Sequence, residues 1–346
     1  MRPLLVDWAT RLLFVSGFTH PRRLPRDHLG VATFHRVLPP DQRSEYPFPG
    51  LAVTPEAFEW CLRLLSTHFE CGTLGDTMNK WRAQDPARRL DRPLMAITFD
   101  DGQLDNYLHA KPVMDALGIH GSFFVPYANV EADEPLWHDR MGMSILKIYR
   151  SGAASFAALT EELGLAKVGS PGDEQAAVRQ VVVAAKSLPR DQVFRWVGIC
   201  ERRSGGRQRL AWDGLMSFDQ LAELSKQGHE IGSHTQSHAI LTNCTAPQLD
   251  EEVRVSRTKL QARLQLPVES FCYPNGNCDT RSIECVRAAG YHQAVTTSWG
   301  SNAPGQSAFA LKRRDMTSRA LRSNAGRLSA ARFAWTLSDI GRRAGS

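Results

Sequence analysis

The run LMAITFDDG, residues 94–102, decides how this 346-residue chain is read. Leu94 to Phe99 form a short, continuous hydrophobic run of the kind that a strand buried on both faces requires, and it breaks abruptly into Asp100-Asp101-Gly102. A helical pattern from Asp105 to Leu117 and a second apolar run from Gly121 to Val125 follow. Strand, acidic loop, helix and strand in that order make a βαβ unit, hence a parallel sheet.

The same grammar recurs on either side. Downstream, Phe218 to Gln227 reads as a helix closed by Gly228, His229 to Ser233 as a strand, His234 to His238 as a loop, and Pro247 to Leu264 as a long helix. Ser270 to Tyr273, the turn Pro274-Asn275-Gly276, the helix Thr280 to Ala289 and the strand Gln293 to Thr297 make a third unit. Upstream, Val31 to Val37 reads as a first strand, and Thr54 before Pro55 caps a helix with Phe58, Leu62 and Leu65 on one face. Residues 80–93 read as a loop. Between the repeated units, residues 131–213 break the rhythm as a helical insertion, rich in Ala, Arg and Val, in the position of a cap. Repeated βα units with polar clusters after the strands predict an α/β barrel or an open doubly wound sheet.

Composition narrows the class. Hydrophobic residues at 42% and charged residues at 23% are those of a globular chain with a full core. The seven cysteines, Cys61, Cys71, Cys200, Cys244, Cys272, Cys278 and Cys285, are odd in number and contain no C-x-x-C pair. They therefore spell neither a disulfide framework nor a thiolate zinc site, and a reducing compartment is expected. Residues 1–19 are interrupted by Asp7 and Arg11 and lack a small-residue cleavage site, which predicts a helix rather than a signal peptide. No window reaches the length of a membrane span. Residues 312–346 carry nine Lys/Arg and two acids, a net of +7 against +6 for the whole chain, so no nucleic-acid groove is spread over the fold.

In both candidate sheets, functional side chains gather at the C-terminal ends of strands. Asp100-Asp101, His234 with His238, the turn at Asn275 and His35 all lie there. Adjacent carboxylates at a strand end point in different directions, so one can bind a metal while the other faces water or substrate. Two histidines four residues apart on a tight loop can ligate the same ion, and with Asp101 they make three protein ligands that leave a position for water, the pattern of a catalytic rather than a structural site.

T-F-D-D-G at Thr98 to Gly102, together with S-H-T-x-x-H at Ser233 to His238, resembles the polysaccharide deacetylases of the fourth carbohydrate esterase family, the NodB-homology domain. The resemblance runs from about Val31 to about Met316. It implies a distorted (β/α)7 barrel and metal-dependent hydrolysis of N-acetyl groups on sugars. It also implies Asp100 as general base, and Asp101, His234 and His238 as ligands of a divalent metal, expected to be Zn2+, with Co2+, Ni2+ or Fe2+ as alternatives. F-C-Y-P-N-G at Phe271 to Gly276 resembles the family's third motif and implies that the backbone N–H of Asn275 holds the oxyanion.

Two family features are absent at their usual places. No histidine stands in the late Ala310-Leu311-Lys312-Arg313-Arg314 stretch, whereas Thr33-Phe34-His35-Arg36-Val37 resembles the circularly permuted exopolysaccharide deacetylases, which implies His35 as general acid. No arginine precedes Tyr273 to tether the base, and Arg314 is the expected substitute. Trp137 and Trp212, bracketing the insertion, are candidates for stacking on sugar rings, against a blander role in packing.

The expected function is removal of N-acetyl groups from an amino-sugar glycan or its lipid-linked precursor in envelope or exopolysaccharide biosynthesis. The rivals are an amidase of the same fold acting on a non-sugar amide, and an inactive glycan-binding module. The expected organisation is an N-terminal helical segment over 1–30, a deacetylase domain over 31–316 and a tail over 317–346. The tail alternates Leu, Phe and Trp with arginine, which predicts a basic amphipathic helix, either in peripheral contact with a membrane or packed on the barrel. A cytoplasmic protein at the inner membrane face is the expectation, with no nucleic-acid partner.

Overall fold

The structure is a computed structural model that describes residues 2–84, 90–165 and 171–338. Seven parallel strands close into a barrel: β1 (Leu29–Phe34), β2 (Leu94–Phe99), β3 (Ser122–Val125), β4 (Glu230–Ser233), β5 (Ser270–Cys272), β6 (Gln293–Trp299) and β7 (Leu311–Asp315). Each pairs with its neighbour in chain order, and β1 closes the ring by pairing with both β2 and β7. Of the two architectures left open by the strand pattern, the closed one holds, as the family resemblance implies.

Closure explains the unbroken apolar runs, because each strand is covered on both faces. Leu29, Val31, Leu94, Ala96, Phe124, Cys272, Val295 and Leu311 fill the barrel interior with Leu74 and Met78 from the helix Leu74–Arg82. The alternate residues Ala32, Phe34, Met95, Ile97 and Phe99 face the surrounding helices. That period of two runs on to the strand ends: Thr33, Thr98 and Arg313 face inward at the top of the barrel, where Thr33 and Thr98 hydroxyls meet at 3.1 Å.

Several elements differ from the sequence expectation. The first strand is not continuous from Val31 to Val37: Arg36–Val37 leaves the barrel to pair with Ala52–Val53, and His35 sits at the break. The helix Leu74–Arg82 runs into the segment read as a loop. The long helix after His238 starts at Ala246–Asp250, widens into a π turn over Glu251–Val255, and resumes as Ser256–Leu264.

Between β3 and β4 the insertion folds into the helices Trp137–Arg150, Ala153–Glu162, Glu174–Ala185 and Arg190–Arg203. They share an apolar cluster of their own, including Trp137, Met141, Ile145, Val178, Val181, Val197 and Cys200. Within the insertion, Gly169 to Asp173 also reads as a loop from its sequence, and part of it lies outside the described residues.

The tail favours the packed of its two expectations. Its helix Ala330–Leu337 turns its apolar side inward: Phe333, Ala334 and Leu337 are buried, and Phe333 meets Trp60 edge-on at 6.0 Å. That face is not presented outward to a membrane, because the barrel's outer layer takes it up. Residues 339–346, with Arg342 and Arg343, lie outside the described residues.

Candidate active site

The strand ends deliver three polar clusters and His35 to one mouth of the barrel. Asp101, immediately after β2, and His234 and His238, after β4, are all buried. His238 Nε2 and His234 Nε2 lie 3.1 and 3.4 Å from Asp101 Oδ1. That oxygen nevertheless makes no hydrogen bond within the protein. Three electron-pair donors thus converge on one point in a buried setting, which is the arrangement a divalent cation needs and one that side chains alone leave unsatisfied. The donor set fits a metal of the zinc class.

Neighbouring bonds aim the ligands. His234 Nδ1 meets the Cys272 carbonyl oxygen at 2.8 Å, which turns Nε2 toward Asp101. Burial pushes the His238 imidazole down to about 3, leaving it neutral and with a lone pair to offer. The loop itself is held from below: the Glu252 carboxylate accepts the backbone N–H groups of Gln236 and Ser237, each at 2.9 Å, and the Ser237 hydroxyl at 2.6 Å. Glu252 lies in the π turn, and that widening is of the kind found at functional sites. Four of the six non-glycine residues with positive φ among the described residues are here: Asp101 (79°), Thr235 (73°), His238 (57°) and Asn275 (56°). Backbone strain is concentrated where the chemistry would be.

Asp100 points the other way from Asp101. Arg313 Nη1 and Nη2 donate to its two carboxylate oxygens at 2.8 and 2.7 Å, a two-point ion pair with both partners buried. Burial alone would raise this carboxyl, but Arg313, with His234 and His35 nearby, holds it down to about 2. It is therefore ionised at any physiological pH. A second set of donor atoms, Asp100, His234 and Cys272, also lies close together. It fits a metal less well, because Arg313 already occupies both Asp100 oxygens and burial keeps the Cys272 thiol protonated.

The tether is thus Arg313 and not Arg314. Leu311 faces the barrel interior, so Arg313 two residues on faces the same way, and Arg314 is turned outward against the ring of Trp299 at 5.1 Å. His35 lies with Nε2 3.8 Å from Asp100 Oδ2 and is partly open to solvent, while its carbonyl oxygen accepts Asn106 Nδ2. Asn275 is at the exposed tip of its turn. Gly276 beside it adopts φ +73°, and a Cβ there would fall 2.0 Å from Thr297 Oγ1, so this tight turn admits only glycine. Thr297 in turn donates to the Asn275 carbonyl at 3.1 Å.

Long-range contacts add residues that spacing did not reveal. The insertion brings Lys186, whose Nζ donates to Asn275 Oδ1 at 2.7 Å. Its first helical turn brings Trp137, which donates to the His238 carbonyl at 3.0 Å, and His138, whose ring lies 5.0 Å from that of His238. Asp139 follows, bonded to Tyr46 and Gln103, and burial pushes its carboxyl up to about 6. Of the two bracketing tryptophans, Trp137 is buried and unavailable to a sugar face, while the half-buried Trp212 has the guanidinium of Arg36 5.1 Å from its ring.

The expected resemblance to the polysaccharide deacetylases holds: residues 206–294 match the family model described as polysaccharide deacetylase. That segment contains His234, His238 and the Asn275 turn, and the barrel joins them to Asp100, Asp101, His35 and Arg313. YxkH of Bacillus subtilis, assigned to the polysaccharide deacetylases, is 27% identical over 98 residues. This alignment covers 28% of the present chain and about a third (35%) of that relative's length. Among solved structures, the Streptococcus pyogenes deacetylase PplD, solved with acetate, matches with a TM-score of 0.54 at 15% identity, covering 84% of this chain and 92% of its own. A polysaccharide deacetylase from Bacillus cereus matches at 0.54 and 16%, covering 90% and 69%. IcaB from Ammonifex degensii matches at 0.51 and 18%, covering 83% and 91%. At these identities the solved structures establish the fold.

Proposed function

We propose that the protein is a metal-dependent hydrolase that removes N-acetyl groups from an amino-sugar glycan. The observation that carries this reading is the pair of opposed aspartates: Asp101 joins His234 and His238 around a common point, while Asp100, held ionised by Arg313, is within reach of His35. Relatives described as polysaccharide deacetylases support the glycan as substrate.

In this reading Asp101, His234 and His238 hold the cation. When bound there, a divalent cation polarises the acetamide carbonyl and acidifies water, which a base as weak as Asp100 requires. Asp100 accepts the proton of the attacking water, and Arg313 fixes its plane and keeps it free of a proton beforehand. The N–H of Asn275 donates to the oxygen that gains negative charge, on a turn made rigid by Gly276 and Thr297. His35 delivers a proton to the departing amine, without which the C–N bond does not break.

The test is acetate release from N-acetylglucosamine oligomers and from N-acetylated peptides of similar size, with zinc or cobalt supplied. Release confined to the sugar series is expected. Release from the peptides alone would move the reading to an amidase of non-sugar substrates, and release from neither, with metal bound, to a glycan-binding module.

A further inference from the structure

Eight large apolar side chains are exposed among the described residues, and five of them, Val6, Trp8, Leu12, Val15 and Phe18, fall within one stretch of thirteen residues. Trp8, Leu12 and Val15 follow the i, i+4, i+7 spacing of one face of the helix Arg2–Val15 and are 76, 66 and 76% exposed; Phe18, just past the helix end, is 61% exposed. A contiguous apolar patch of this kind marks an interaction surface.

The opposite side of the same helix is docked. Thr10 is buried, Asp7 accepts both the backbone N–H and the side-chain amide of Asn324, and Phe14 stacks on His20 at 5.6 Å, whose ring meets that of His68. The helix packs along Ala330–Leu337, the helix whose own apolar side is turned inward. The molecule therefore holds this helix in place and turns its apolar side outward.

The patch carries basic residues beside it: Arg11 is exposed on the helix itself, and Arg23, also exposed, lies 5.8 Å from the ring of Phe18. Asp7 is the only acid between residues 2 and 26, and its carboxylate is already engaged by Asn324. Two such faces repel each other, so a second copy is a poor occupant, whereas an anionic surface with an apolar layer beneath matches both parts. We infer that this helix seats the protein on an anionic phospholipid bilayer, with Trp8, Leu12, Val15 and Phe18 entering the headgroup boundary and the arginines facing lipid phosphates. The helix lies along the surface: fourteen residues span about 21 Å, short of the ~30 Å hydrocarbon core, and no described helix is long and apolar enough to cross.

The test is flotation of the full chain with vesicles of phosphatidylcholine alone and of phosphatidylcholine with phosphatidylglycerol, at low and high salt. Binding to the anionic vesicles that weakens in high salt is expected, with the bound fraction falling about tenfold in Trp8→Ser/Leu12→Gln and the salt-sensitive part lost in Arg11→Gln/Arg23→Gln. Both variants keep the wild-type melting curve and acetate release from soluble oligomers, since neither pair touches the barrel mouth. Equal flotation of wild type and Trp8→Ser/Leu12→Gln overturns the inference. So does a wild type that ignores anionic vesicles, including one that light scattering shows to be a dimer dissolved by the same substitutions.

Discussion

In the proposed mechanism the chemistry turns on Asp100 and Arg313, and their coupling has a sign that can be measured. In the wild type the Asp100 carboxyl lies at about 2, below its ordinary value near 4, so its contribution to stability is present above about pH 4 and fades as pH falls toward 2. In Arg313→Met burial is opposed only by the weaker pull of His234 and His35 and raises the carboxyl above that ordinary value. The sign then reverses, and the loss relative to wild type is larger at pH 8 than at pH 4, on the order of 3–5 kcal/mol at neutral pH for a buried charge deprived of its partner. Thermal melts at the two pH values check the stability, and the acid limb of the acetate-release profile moves to higher pH. Arg314→Met leaves that limb where it is, because Arg314 faces Trp299. For His35→Gln, kcat is expected to fall by about 10²–10⁴ while bound metal is unchanged, as measured by steady-state rates beside metal analysis. The choice between the adjacent arginines was legible in principle: counting in twos from the inward Leu311 reaches Arg313. Arg314 was expected to reach in from the last strand with the pleat of that strand left uncounted.

At the scale of elements, the loop His234 to His238 is shaped less by its own residues than by what lies behind it. Glu252 satisfies two of its backbone N–H groups, and Arg190 from the insertion reaches Glu252 at 3.1 Å. Glu252→Gln sets an amide donor against those donors and leaves one of them unpaired, at about 1–3 kcal/mol. The expected outcome is a 10–100-fold weaker affinity for zinc, read by titration against a chelating dye, with the fold intact by circular dichroism. None of this was legible from spacing. The βα units, their caps and the helical character of the insertion follow from local pattern, but the seating of Trp137, His138 and Lys186 at the barrel mouth arises from contacts about a hundred residues apart in sequence. The π turn was hidden for a related reason, since one extra residue in a helix leaves the apolar periodicity almost unchanged.

Over the whole molecule, closure of the barrel does what no single motif does. It brings a first-strand histidine, a second-strand aspartate pair, a fourth-strand histidine pair and a seventh-strand arginine to one mouth, although the segment recognisable by family contains only part of that set. The sequence pattern allowed an open sheet as well; the pairing of β1 with both β2 and β7 decides between them. Amphipathicity in the tail left a membrane surface and the barrel as equal candidates for its apolar face, because periodicity records that a face is apolar and not what covers it; the burial of Phe333 and Leu337 favours the barrel. The central claim is that two adjacent aspartates divide the labour, Asp101 holding a cation and Asp100, ionised beforehand, taking a proton from the attacking water. The most direct measurement is bound zinc and acetate release together, on wild type, Asp100→Asn and Asp101→Asn. One equivalent of zinc retained with release abolished in Asp100→Asn, and both lost in Asp101→Asn, is the predicted result; undiminished release from Asp100→Asn, or full zinc binding by Asp101→Asn, would contradict it.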